Sequence, residues 1–152
     1  MKIVVLFLFT LVAISSFVAI EKPTEVSTKL MRDTLQNDRQ KIIAELKMKY
    51  ADKLEIPADS VFKNIKYLKG KSVEGVLSVM NTWGHALGVT CRSCHEPEDW
   101  ASEKKRNFLR TREMIELTSS LNKDLLPKMK NFRQPVTMGC ISCHNEMKEP
   151  SK

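Results

Sequence analysis

All four cysteines of this 152-residue chain lie in two copies of one pentapeptide, Cys91-Arg92-Ser93-Cys94-His95 and Cys140-Ile141-Ser142-Cys143-His144. Two thiols three positions apart, followed at once by an imidazole, form the attachment signature of c-type haem. Each thiol can add to one vinyl group of a single porphyrin, making two thioethers, and the adjacent histidine then faces the iron as its proximal ligand. Covalent tethering suits a protein too small to enclose the group by packing alone. The pattern predicts two haem c groups, one attached through Cys91 and Cys94 and carried on His95, the other through Cys140 and Cys143 and carried on His144. A zinc ribbon would place its cysteine pairs about 15 to 20 residues apart and has no use for a histidine after each. Here Cys94 and Cys140 are 46 positions apart. A thioredoxin-like pair occurs once, after a strand in a βαβ unit, and neither condition is met. Two structural disulfides fit an exported protein but leave both histidines unexplained.

The sixth iron position separates an electron carrier from a catalyst, and methionine and histidine are the candidates to fill it. Met80 and Met129 each lie eleven residues before an attachment cysteine, whereas Met114 lies 26 before Cys140, mid-helix, where a ligand is held rigidly. Met138 is too close to Cys140 to reach the opposite haem face. Met31 and Met48 read as core filler on an apolar stripe. His85, the one histidine outside the pentapeptides, reads as a partly exposed or hydrogen-bonded side chain, with a distal ligand as the alternative.

These groups need helices to hold them. Leu30, Ile42, Ile43, Leu46 and Tyr50 recur at helical spacing among charged residues and predict one amphipathic helix from Glu25 to about Leu54, ended before Pro57. It carries no chemical motif and is expected outside the core or as a spacer from a membrane. Ser72 caps a second helix bearing Val76, Leu77, Val79, Met80 and Trp83, which ends at Gly84 or Gly88. A third starts after Ser102 and runs through Phe108, Leu109, Met114, Ile115, Leu117 and Leu121 to Asn122. No stretch alternates apolar and polar residues as a half-buried strand requires. With 7% aromatic residues, five glycines and six prolines, a sandwich of short strands is also disfavoured. The fold class expected is all-α, with helices and loops wrapped around two covalently attached haems and little or no sheet.

Residues 3–20 are uncharged and apolar behind Lys2, the pattern of an export signal, and the run is also long enough for an uncleaved membrane anchor. The organisation expected is a leader over 1–20, the amphipathic helix over 21–56 and a dihaem domain over 57–152. Export places the protein in the periplasm or at the outer face of the inner membrane. The net charge is +7, or +6 without Lys2, and a basic carrier suits an acidic redox partner. Nucleic acid is excluded as a partner because Lys and Arg are scattered through all segments and export removes it.

The stretch from about Val61 to His144 resembles the cytochrome c subunit of photosynthetic reaction centres. Phe62-Lys63-Asn64-Ile65 with Leu68-Lys69 is similar to that family's lead-in. Met80-Asn81 with Leu87-Gly88-Val89-Thr90-Cys91 is similar to its methionine helix and first attachment site, and Arg112-Glu113-Met114 with Thr118 and Asn122 to its Arg-x-Met helix. The resemblance implies that Met80 and Met114 are the sixth iron ligands, ranking Met114 above Met129. The chain departs from the family in having one unit with two haems where members generally carry four. It also lacks the family's distal histidine, since the equivalent offset from Met114 falls on Lys128. The function expected is electron transfer outside the cytoplasm by two His/Met-ligated haems, with no enzymatic activity. The alternative is a haem enzyme, a peroxidase or small reductase, with one open iron site and a polar distal pocket built from His85 with Arg92 or Arg106. A third reading is a subunit that docks in a membrane complex through the leading helix.

Overall fold

A computed structural model describes residues 24–150, and the expected leader lies outside the described residues. Among the described residues five α-helices are joined by loops and single turns: α1 (Glu25–Lys49), α2 (Ala58–Val61), α3 (Val73–Ala86), α4 (Arg106–Ser120) and α5 (Cys140–His144). Among the described residues the only extended pairings are two isolated bridges, Pro57 with Ser72 and Glu96 with Asp99. The all-α reading holds. No described helix is long and apolar enough to cross a membrane.

The helix boundaries follow local chemistry. Thr24 caps α1 by accepting from the Ser27 amide, and Ser72 caps α3 by accepting from the Gly75 amide, each satisfying a backbone donor that the first turn leaves free. The first helix stops at Lys49, short of Leu54, and the chain continues through a 3₁₀ turn at Ala51–Lys53. The third predicted helix begins at Arg106 and passes into a π-helical turn, Leu121–Leu125.

The core sits where α1, α2 and α3 meet. Ala58, Val73, Val76 and Leu77 are buried, and Ile43, Leu46, Tyr50, Phe62, Leu68 and Met80 pack against them. The Tyr50 and Phe62 rings meet edge to face at 5.1 Å. The short α2 is pinned beside α3 by the Ala58 amide donating to the Lys71 carbonyl (2.8 Å) and the Val73 amide to the Ile56 carbonyl (3.0 Å). The C-terminal half of α1 is therefore part of the core, where the sequence predicted a peripheral helix. At 100° per residue, Ile42, Ile43, Leu46 and Tyr50 share one face, whereas Met48 points away from it. Met48 is 73% exposed and Met31 60%, so neither is core filler. At 1.5 Å per residue α1 spans about 37 Å against about 21 Å for α3, so its early turns outrun the partner that buries the later ones.

Candidate functional site

A cavity of about 440 Å³ opens beside the first pentapeptide. That volume falls within the roughly 300–1,000 Å³ of cofactor and small-molecule sites. Five segments line it. From α3 come Val76, Leu77, Met80, Trp83 and Gly84, spaced at one helical face. From α4 come Phe108, Thr111, Arg112 and Ile115, again one face. Ile43 and Leu46 come from α1 and Tyr50 from its C-terminal cap, Val61–Leu68 supply a flanking segment, and Cys91, Cys94 and His95 complete the wall. Met80 thus lines the same cavity as the first cysteine pair and its histidine.

The His95 ring is locked. Its Nδ1–H donates to the Trp100 carbonyl at 2.8 Å, which leaves Nε2 as the free nitrogen. Phe108 meets the ring edge to face at 5.3 Å, and Trp100 stands 5.6 Å away. Burial pushes the His95 pKa below the ordinary histidine range, Lys105 pushes the same way, and the Trp100 hydrogen bond opposes them. The neutral, ligating form is favoured. Burial raises the thiol pKa values of Cys91 and Cys94 above the ordinary range.

The entry to α4 clasps the pentapeptide backbone. Lys105 Nζ donates to the carbonyls of Arg92 and His95, Asn107 Nδ2 donates to the Ser93 carbonyl at 3.0 Å, and Thr111 Oγ1 lies 3.9 Å from Cys94 Sγ. The Arg112 guanidinium bonds Asn64 through its backbone and side-chain oxygens and pairs with Glu103, while Asn64 Nδ2 donates to Glu103 and to the Ala101 carbonyl. Two segments distant in sequence, Phe62–Ile65 and Arg112–Met114, are thereby tied together at the cavity rim. Sequence reasoning passed over Trp100, Lys105 and Asn107, which carry no motif; polar residues shortly after the pentapeptide were the available signal.

The second pentapeptide forms α5, behind Gly139. The Asn122 side chain grips Met138 at both ends, donating to its carbonyl (2.8 Å) and accepting from its amide (2.7 Å), so the π-helical turn that follows α4 holds the lead-in to Cys140. His144 Nδ1–H donates to the Met147 carbonyl at 3.1 Å, again leaving Nε2 free. The segment after α5 docks on the C-terminal end of α3: the Glu146 amide donates to the Ala86 carbonyl at 2.9 Å, and the Glu146 carboxylate lies 2.9 Å from Arg32 and 3.5 Å from His85. Gly88 makes that approach possible, with φ +58° and the Glu146 carbonyl oxygen 2.0 Å from where a Cβ would stand. Met114 is 44% exposed and Met129 51%, and neither lines the cavity of the first pentapeptide. Cys140 is partly buried and Cys143 exposed. His85 is half exposed beside Glu146, and Arg92 pairs with Asp38 at 3.1 Å; neither lines the cavity, and Arg106 does not either.

The photosynthetic reaction centre cytochrome c subunit family matches residues 21–152. The chain belongs to that family. It is similar also to cytochrome c-554 of Chloroflexus aurantiacus, with 29% identity over 83 residues, 54% of this chain. The match spans a fifth of that longer protein. Membership makes the chain a c-type cytochrome and implies haem c as its cofactor.

Proposed function

We propose that the protein is a dihaem c-type cytochrome that relays single electrons outside the cytoplasm and is not an enzyme. The observation that carries the reading is the convergence of Cys91, Cys94, His95 and Met80 on one apolar cavity. These residues fit the group. Cys91 and Cys94 would each add S–H across a vinyl double bond, a reaction that needs no oxidant because the hydrogen ends on the vinyl carbon. His95, with Nδ1–H committed to Trp100, offers Nε2 to the iron, and Met80 on α3 offers its thioether sulfur. Haem supplies a one-electron ferric/ferrous couple when bound. The protein's own part is to hold these donors, exclude water with the α3 and α4 faces, and keep His95 neutral by burial.

Cys140, Cys143 and His144 would hold a second haem, and Met114 would offer its thioether sulfur to that iron; Met129 is the competing donor. Support comes from the free Nε2 of His144 and the Asn122 clamp that ties the turn following α4 to the second pentapeptide. Thioether ligation raises haem potential and suits the upper part of a respiratory chain. The partners are redox proteins of acidic surface, with a membrane complex as a further setting, and the uncharged leader over 3–20 directs export to the periplasm or the outer face of the inner membrane.

Denaturing mass spectrometry tests the cofactor count: the expected chain is heavier by two haems, and Cys94→Ala or Cys143→Ala weakens attachment at one site only. A mass equal to the bare polypeptide would end the reading. Reduced protein is expected to bind carbon monoxide slowly or not at all, because its own methionines fill the sixth positions. Rapid binding would move it to the haem enzymes.

A further inference from the structure

The leading helix presses a buried cation against the first attachment site. Arg39, on α1, is 3% exposed, the one buried charged residue among the described residues. Its Nη1 donates to the Val89 carbonyl at 2.9 Å, two residues before Cys91. Its side chain lies against Gly84, where a Cβ would stand 2.7 Å from Arg39 Cδ, so α3 needs a glycine to admit it. The adjacent Asp38 grips the other side of the same turn, with Oδ1 3.1 Å from Arg92 Nη1. Asp38 Oδ2 and Arg39 Nε are buried without a hydrogen-bond partner. Consecutive residues of α1 thus hold Val89 and Arg92, the two flanks of Cys91.

A charge kept out of water acts further and more strongly than one at the surface. Burial is the largest influence on the Cys91 thiol, raising its pKa; beyond that, Asp38 raises it and Arg39 lowers it. The two neighbours therefore reach the attachment residue with opposite sign. Arg32 and Arg92 also face this region, but more than half of each side chain is exposed and both are more strongly screened; the Glu146 carboxylate, as sheltered as that of Asp38, acts on Arg39 in the same sense as Asp38.

We propose that Arg39 is a positioning residue of the first haem site and sets that haem's potential: its fixed positive charge, held by Val89 and Gly84, favours the less positive reduced iron, and Asp38 offsets it. The assignment rests on the cytochrome reading above. It makes α1 a working part of the redox site.

The test is a spectroscopic redox titration of the full haem-loaded protein. Arg39→Met is expected to lower one of the two midpoint potentials, shifting that haem's reduction equilibrium about three- to tenfold, or ~30–60 mV at 59 mV per decade for one electron. Asp38→Asn is expected to raise the same potential. Arg39→Lys keeps the charge and restores most of the wild-type value, and Ile42→Ala, on the same helix, lowers thermal stability while leaving both potentials in place. A merely structural role would move the potentials in one direction for every destabilising variant. If Arg39→Met yields no haem protein, the rise in Asp38→Asn and the retention in Arg39→Lys decide the matter. Unmoved potentials, or shifts of the same sign in Arg39→Met and Asp38→Asn, overturn the assignment in a protein that still carries haem. A wild-type chain without haem overturns the cytochrome reading itself.

Discussion

Replacing Gly88 with alanine tests how the second pentapeptide is docked beside the first. The added Cβ would meet the Glu146 carbonyl oxygen at 2.0 Å and its carbonyl carbon at 2.8 Å, and backbone cannot rotate out of the way as a side chain can. The segment after α5 must then retreat by about 1.4 Å to restore van der Waals contact, taking with it the bond from the Glu146 amide to Ala86. Losing that bond costs about 0.5–1.5 kcal/mol. Holding alanine at φ +58° costs about 1–2 kcal/mol more. The exposed contacts of Glu146 with Arg32 and His85 add little. The expected loss is about 2–3 kcal/mol. Gly70→Ala is the control, because Gly70 has φ +78° with nothing within 4 Å of an added methyl and therefore reports the backbone cost alone, about 1–2 kcal/mol. Denaturant unfolding of the two haem-loaded variants, compared at equal m-value, measures the difference, expected at about 1 kcal/mol or more. Equal losses would refute the docking of the segment after α5 onto the end of α3.

Three further outcomes are expected. Met80→Ala should abolish one methionine–iron absorption and lower one potential, and Met114→Ala should do the same at the other haem; an effect of Met129→Ala with none from Met114→Ala would reverse the ligand assignment. In the haem-free chain burial holds the His95 pKa below its unfolded value of about 6.5, so the unfolded state binds the proton first. Stability contributed by neutral His95 is then complete above that value and is lost as pH falls towards the folded pKa; pH-dependent unfolding of wild type against His95→Gln checks it, and identical slopes would refute it. Electron exchange should slow with salt for an anionic reagent and quicken for a cationic one, given the +7 net charge, and stopped-flow rates with the same salt response for both would remove the basic docking face.

Much of the site is legible in the chain because its chemistry is local. Cys91, Cys94 and His95 lie within one turn, as do Cys140, Cys143 and His144, so the attachment pattern needs no tertiary information. The Ser72 cap and the helical faces of α3 and α4 follow from short-range hydrogen bonding and the 3.6-residue period. Periodicity misplaced Met31 and Met48, since it shows that a helix has an apolar stripe but not how much of its length finds a partner.

Sequence alone determined the all-α class, the two Cys-x-x-Cys-His turns and the methionine on α3, because each is specified by residue type at spacings of a few positions. Tertiary structure decided which of these residues share a space. It brought Met80, His95 and the α4 face to one cavity, turned the supposed spacer helix into a wall of the core, and seated Arg39 between Gly84 and Val89. Those contacts join residues up to 50 positions apart, and whether a charged side chain such as Arg39 is solvated or buried depends on which surfaces the other helices bring against it.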